Sequence, residues 1–217
     1  MINYGLNELI NDTILVSIDT KMETILRIIK MLDLNKNGVH LRELSRITKT
    51  SCSNLIRNLK LLEKNKIIKK EKEANLIKIK LNNHPLTIAY LKEVHTLNFL
   101  SLPKKVILAV NEFLNEIKEK PIISFIFGSY AKGGYTENSD IDLMLIFQKT
   151  GNFRDIENTA RRISSKTNTR INPVYAGYKN FESNLKDKKH VFSNEIKKNI
   201  MIINGIEYYY QILWNCE

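Results

Sequence analysis

The sequence predicts an α+β fold in two parts joined by a short connection. Residues 1–83 contain three short stretches with the apolar spacing of helices, followed by an alternating stretch that is typical of a hairpin. Two strand-like apolar runs, 122–127 and 140–147, lie further on and are separated by a turn-rich segment. We therefore expect a helical first domain over 1–83, a connecting helix over 84–103, and a mixed sheet with flanking helices over 104–217.

Three helices are predicted in the first domain because apolar residues recur at spacings of three and four. The apolar residues are Ile25, Ile28, Ile29 and Leu32 in the first helix, Leu41, Leu44 and Ile47 in the second, and Leu55, Leu59 and Leu62 in the third. Thr50 or Ser51 is placed to cap the third helix. Residues 67–81 alternate apolar and polar residues around a charged turn, which predicts a two-stranded hairpin.

This order of elements, over about residues 21–82, resembles the winged helix-turn-helix domain. The resemblance implies that the third helix enters the major groove of double-stranded DNA. The candidate DNA contacts are Ser51, Ser53, Asn54, Arg57, Asn58 and Lys60. Residues 49–72 hold eight Lys or Arg and two Asp or Glu, and this net charge of +6 favours phosphate binding. A merely solvated Lys-rich face and a winged helix that binds protein are the alternatives.

The composition of the whole chain also favours a polyanionic partner. The 217 residues carry 34 Lys or Arg and 23 Asp or Glu, a formal net charge of +11, although solubility explains part of this excess. Cys52 and Cys216 are far apart and form no zinc-binding pattern. The sequence shows neither a signal peptide nor an apolar run of the roughly 20 residues that cross a bilayer. These features predict a cytoplasmic protein.

The connecting helix carries more apolar residues than one buried stripe requires. Ile88 and Leu91 lie on one side of it, and the surplus favours either a homodimer contact or packing between the two domains. His84 and His95 have no acidic or Cys partners at ligand spacing. We expect them to be surface or packing residues.

The second half places two aspartates at the start of a buried strand. Residues 104–120 predict a helix, and residues 129–133 of the following turn predict one further helical turn. Asp140 and Asp142 begin the second apolar run and project from the same face, because side chains alternate along a strand. Such close carboxylates repel each other unless a cation lies between them, and Mg²⁺ is the usual partner of hard oxygen ligands. Gly128 and Ser129 form a turn that suits an anion.

The stretch GSYAKGGYTENSDID resembles the signature of polymerase-β-type minimal nucleotidyltransferases, in which a Gly-Ser turn precedes Asp-x-Asp on the next strand. The resemblance implies transfer of a nucleoside monophosphate from an NTP, with ATP the expected nucleotide, to a protein, RNA or small-molecule acceptor. It implies that Asp140 and Asp142 hold two Mg²⁺ and act as the catalytic residues. The nucleotide-binding residues that it implies are Gly128, Ser129, Lys132, Gly133 and Ser139.

The sequence differs from active members of this family at one position. These members carry a third carboxylate on a later strand, here expected over residues 169–177, and that segment contains no acid. Asn172 is the expected occupant, and a neutral amide is a poor general base. The alternative to an enzyme is therefore a DNA-binding transcriptional regulator whose second half binds a nucleotide with little or no turnover.

The C-terminal segment predicts a helix with Ile196, Ile200 and Ile203, ended by Gly205. An aromatic-rich end follows, made of Tyr208, Tyr209, Tyr210 and Trp214. These rings would either stack on a nucleotide base or belong to the core, and the core is the commoner fate of such residues.

Overall fold

The protein forms two compact units that divide between Asn82 and Asn83. The structure, a computed structural model, describes residues 20–73, 76–149, 153–187 and 196–215. The first 19 residues, the tip of the hairpin and Cys216 lie outside the described residues, so the expectations for them stay predictions.

The first unit consists of helices and a small antiparallel sheet. Its described elements are, in order, α1 (Thr20–Leu34), β1 (Val39–His40), α2 (Leu41–Thr48), α3 (Cys52–Lys64), β2 (Ile68–Glu73) and β3 (Leu76–Leu81). The sheet order is β1-β3-β2, with Val39 opposite Ile79 and Ile68 opposite Leu81. The three helices and the hairpin therefore occur in the order that the sequence predicts.

The core of the first unit is formed by the apolar stripes of its helices. Ile28, Ile29, Leu44 and Leu55 are fully buried, and the remaining stripe residues of α1 and α3 are at most 3% exposed. The Ser51 hydroxyl caps α3 by accepting a hydrogen bond from the Asn54 amide. Of the two candidate caps, Ser51 is the one used.

The second unit is built on a mixed four-stranded sheet. Its described elements are α4 (Pro85–Leu100), α5 (Lys104–Glu116), β4 (Ile123–Phe127), α6 (Gly128–Lys132), β5 (Ile141–Phe147), α7 (Arg154–Thr167), β6 (Ile171–Gly177), α8 (Tyr178–Lys186), β7 (Met201–Asn204) and α9 (Ile206–Trp214). The strand order is β6-β5-β4-β7, and only the β5–β6 pair is parallel.

The two faces of this sheet are buried by different helices. One core cluster joins the α5 residues Val110 and Phe113, the α7 residue Ile163, and Leu143 of β5. On the other face, the Phe125 ring lies 6.0 Å from the ring of Phe181 in α8 and 6.0 Å from that of Tyr209 in α9. Leu143 of β5 and Phe125 of β4 therefore face two different layers of helices.

Helix α4, which the sequence suggests as a connection, packs within the second unit. The His95 side chain is 2% exposed, and its Nδ1 accepts a hydrogen bond from the Ile202 amide. Its Nε2 lies 3.1 Å from the Tyr210 hydroxyl. Because Nδ1 is an acceptor, the proton of the neutral ring is on Nε2 and is donated to Tyr210. His95 is thus a packing residue, and His84 caps the start of α4.

The prediction of a helix through Ile200 and Ile203 is wrong. Residues Met201–Asn204 form strand β7, which pairs with β4 so that Ile202 lies opposite Phe125. A short apolar run with several β-branched residues fits a strand as well as a helix, and pairing with the edge of β4 decides between them. Tyr209 and Tyr210 are core residues, at most 1% exposed, whereas Tyr208 is 51% exposed.

Candidate active site and candidate nucleic-acid interface

The two aspartates lie on one face of the sheet at the start of β5. Ile141 and Leu143 are completely buried in the core cluster, so the alternation of side chains directs Asp140 and Asp142 to the opposite face. Both carboxylates are half-buried. Asp142 is opposite Phe127 on β4 and opposite Asn172 on β6. The burial of Ile141 and Leu143 agrees with the prediction that the two acids lie on the same face.

Gly128 brings the backbone directly against the Asp142 carboxylate. Its φ is +70°, and a Cβ built on it would lie 2.2 Å from Asp142 Oδ2. A real Cβ is never found so close to a carboxylate oxygen, and a positive φ is itself unfavourable for other residues. The sequence predicts that Gly128 leaves room for an anionic ligand, and the structure adds that it leaves room for Asp142.

The remaining residues of the turn are held by local contacts. Ser129 follows Gly128 in α6, and its carbonyl accepts a hydrogen bond from the Gly134 amide. Lys132 is exposed, and Gly133 ends α6 at φ +75° with open space around it. The Ser139 hydroxyl accepts a hydrogen bond from the Thr136 backbone amide at 2.8 Å. This bond stabilises the turn before β5. Contacts of these residues with phosphate stay predictions.

Two tyrosines that the sequence analysis did not single out stabilise this loop. Tyr130 is buried, and its ring stacks on that of Tyr135 with centroids 4.5 Å apart. The Tyr130 hydroxyl donates a hydrogen bond to the Ser139 carbonyl. Burial raises the pKa of Tyr130, and nearby Tyr135 and Asp140 raise it further. The hydroxyl therefore stays protonated as a donor at neutral pH.

The start of β6 and the residue before it add an amide and a guanidinium to the arrangement. Asn172 Nδ2 donates a hydrogen bond to Asp142 Oδ1 at 2.9 Å, so Asn172 occupies the position that the sequence assigns to it. Arg170 Nη1 lies 3.5 Å from Asp140 Oδ2. Among the described residues, no group of three or more His, Cys, Asp or Glu is arranged to hold a metal ion. The acid pair thus has no third carboxylate within the part of the chain that is described.

The donor set suits a divalent cation with a preference for oxygen. Two carboxylates on one face supply hard oxygen ligands and a double negative charge. The nearby acids of α7 are engaged elsewhere, since Asp155 accepts from the Lys118 amide and Glu157 from the Tyr175 hydroxyl. Asp140 and Asp142 are therefore the residues that could hold Mg²⁺ together with the phosphates of a nucleotide.

Most of the residues predicted to contact nucleic acid are exposed or half-buried, and one is buried. Asn58 was expected on the exposed face of α3, but it is 3% exposed and its amide donates to the Asn54 backbone and side-chain oxygens. It lies one residue before Leu59, at the edge of the buried stripe, and the neighbouring elements cover it. Ser53, Arg57 and Lys60 are exposed, Asn54 is half-buried, and Arg57 also donates to Asn54 Oδ1.

Several basic residues of the hairpin are paired with acids. Lys69 and Lys80 both contact Glu71, at 3.0 and 2.7 Å. Lys70 contacts Glu63 at 2.5 Å. These pairs lower the positive potential of the hairpin.

Two comparisons relate this chain to proteins that are described as nucleotidyltransferases or adenylyltransferases. Residues 109–205 match the family model described as Polymerase beta, Nucleotidyltransferase. A protein of Methanocaldococcus jannaschii named "Putative protein adenylyltransferase" is 48% identical over 44 residues, which are 18% of this chain. The match spans 42% of that relative's own length. The second unit is therefore similar to nucleotidyltransferases of this type. Among the described residues, no helix has the length and apolar character needed to cross a bilayer.

Proposed function

We propose that the second unit binds a nucleoside triphosphate with a divalent cation and transfers the nucleoside monophosphate to an acceptor. The observation that carries this proposal is the Asp140–Asp142 pair on one face of the sheet, with the Gly128 backbone against it. Asp140 and Asp142 would hold Mg²⁺, which neutralises phosphate charge when bound. The family match over residues 109–205 supports the same assignment.

Each residue around the pair has a distinct task in this proposal. Gly128 allows the turn to lie close to the carboxylates, and Ser129 offers a hydroxyl to the terminal phosphates. Asn172 orients Asp142 through its amide. The acceptor oxygen bonds to the α-phosphorus, the bond to the bridging oxygen breaks, and pyrophosphate leaves. The acceptor proton passes to water, because an amide such as that of Asn172 cannot take it.

ATP and a protein acceptor are the first candidates for the substrates. The relative is named as an enzyme that transfers an adenylyl group to a protein, and ATP is the usual donor of an adenylyl group. RNA and small molecules are the alternative acceptors. They are distinguished by offering α-labelled ATP with each class of acceptor and following the label.

Nucleotide binding is tested by calorimetry with a non-hydrolysable ATP analogue and Mg²⁺. We expect Asp140→Asn and Asp142→Asn each to weaken binding by about 100-fold or more, because each change removes one of the two negative charges that hold the cation. Asp155→Asn is the matched control, since that carboxylate lies on α7 and accepts from the Lys118 amide. Unchanged affinity in both Asp140 and Asp142 variants would refute the proposal.

A nucleotide-responsive regulator is the second candidate function. The observation that favours it is Asn172, which places an amide rather than a third carboxylate beside Asp142. Pyrophosphate release separates the two functions. Release that disappears in Asp142→Asn establishes a transferase, whereas Mg²⁺-dependent binding without release establishes a nucleotide sensor.

We further propose that the first unit binds double-stranded DNA through α3. Its topology and the exposed Arg57 and Lys60 support this assignment. Fluorescence anisotropy with a labelled duplex at several salt concentrations tests it. Arg57→Ala and Lys60→Ala should each weaken binding and reduce the salt dependence by about one counterion. Lys92→Ala, on α4 of the second unit, is the control, and equal affinity in all variants at low salt would contradict the proposal.

A further inference from the structure

Two side chains, one on β6 and one directly before it, lie against the acid pair. The parallel register places Asn172 beside Asp142, and the Ile141 amide donates to the Arg170 carbonyl at 2.8 Å, which extends the pairing to Arg170 and Asp140. The side-chain contacts follow this register, with the amide on Asp142 and the guanidinium 3.5 Å from Asp140. Each carboxylate therefore has its own partner, Asn172 on β6 for Asp142 and Arg170 directly before β6 for Asp140.

Asn172 and Arg170 leave less negative charge and fewer carboxylate oxygens on this face for binding cations. Two carboxylates and one guanidinium leave a net charge of −1. Asp142 Oδ1 already accepts from Asn172, and Asp140 Oδ2 faces Arg170, so one oxygen of each carboxylate lies away from these partners. The two carboxylates together could hold one divalent cation. A second cation would have to approach the positive charge of the Arg170 guanidinium.

We propose that Arg170 limits this site to one divalent cation per nucleotide and supplies the second positive charge itself. The inference rests on the proposed nucleotide binding. The Arg170 side chain is 77% exposed, and the pair is weak at 3.5 Å, so the guanidinium can turn from Asp140 to a phosphate of the triphosphate. A guanidinium matches phosphate oxygens with two parallel hydrogen bonds. Asp140 positions Arg170 before the nucleotide arrives.

The experiment counts Mn²⁺ by electron paramagnetic resonance at a saturating concentration of the non-hydrolysable ATP analogue. We expect about one bound Mn²⁺ per chain in the natural protein and about two in the double variant Arg170→Ala, Asn172→Asp, because that variant restores three carboxylates without the guanidinium. Arg170→Ala alone should weaken analogue binding about tenfold, and Arg170→Lys should recover much of it.

Arg161→Ala is the matched control. Arg161 lies on α7, its side chain is 76% exposed, and it pairs with Glu157 at 3.8 Å, so its environment is close to that of Arg170. It should change neither the Mn²⁺ count nor the affinity for the analogue. Thermal unfolding of each variant shows that any loss of binding is not a loss of fold.

The outcomes separate the inference from the function on which it rests. Two Mn²⁺ in the natural protein, or an Arg170→Ala variant with unchanged affinity, would overturn the role of Arg170 and leave nucleotide binding in place. Absence of Mn²⁺-dependent analogue binding in the natural protein would overturn both. One Mn²⁺ in the natural protein, two in the double variant and weakened binding in Arg170→Ala support the proposal.

Discussion

Replacing Gly128 by alanine tests whether the close approach of the turn to Asp142 organises the site. Two costs are expected in this variant. The backbone has φ +70°, and a left-handed conformation costs an alanine about 1 to 2 kcal/mol. The new Cβ would also lie 2.2 Å from Asp142 Oδ2, so the carboxylate must rotate away and lose its bond from Asn172. A hydrogen bond to a charged group contributes about 1.5 to 3 kcal/mol.

Gly133→Ala provides the internal standard. Gly133 has a similar φ of +75°, but a Cβ built on it meets nothing within 4 Å. This variant should lose only the backbone part, about 1 to 2 kcal/mol. The difference between the two alanine variants therefore measures the displacement of Asp142, and we expect it to be about 2 kcal/mol.

Chemical denaturation and calorimetry with the ATP analogue provide the two measurements. Gly128→Ala should lower the free energy of unfolding by about 3 to 4 kcal/mol and weaken Mg²⁺-dependent binding at least tenfold. In an Asp142→Ala background the clashing oxygen is absent and the nearest remaining atom is the residue-142 Cβ at 3.4 Å, so Gly128→Ala should cost no more than Gly133→Ala. Equal losses for both glycines in the natural background would refute the reasoning.

Two further predictions concern the hairpin of the first unit and the buried histidine of the second. Hydrogen bonds from Lys80 and then Lys69 lower the pKa of Glu71 from 4.5 to about 2, so their stabilisation is complete above pH 4.5 and is lost as the pH falls toward 2. A carboxyl titration by NMR should show this midpoint, and Lys80→Ala should raise it; a midpoint near 4.5 in the natural protein would contradict the pairing. Tyr210→Phe leaves the Nε2–H of His95 without this acceptor and should cost about 1 to 3 kcal/mol in denaturant unfolding, whereas the exposed Tyr208→Phe should cost almost nothing. Equal stability of both tyrosine variants would show that the bond is unimportant.

Most helices and strands follow from local pattern. The buried stripes of α1 and α3, the hairpin and strands β4 and β5 occur where their spacing predicts them, and β6 lies where the family resemblance places a strand. The errors fall where two structures fit one pattern. The apolar run before Gly205 is a strand because the edge of β4 pairs with it, and Asn58 is buried because neighbouring elements cover the edge of its stripe.

The candidate site also has one part that the sequence predicts and one part that it does not. Sequence alone predicts that Asp140 and Asp142 share a face, because the alternation of side chains is a property of one strand. It also assigns Asn172 to the third position through the family resemblance. It gives no reason to place Arg170 beside Asp140, because that contact depends on the register between two segments about 30 residues apart.

The sequence by itself determined the local elements, the acid pair and the glycine turn, since each depends on residues close together in the chain. Only the tertiary structure decided what surrounds the acids: the Gly128 backbone against Asp142, the amide of Asn172 and the guanidinium of Arg170. The physical reason is that these contacts are set by strand pairing and packing between distant segments, which no local spacing encodes.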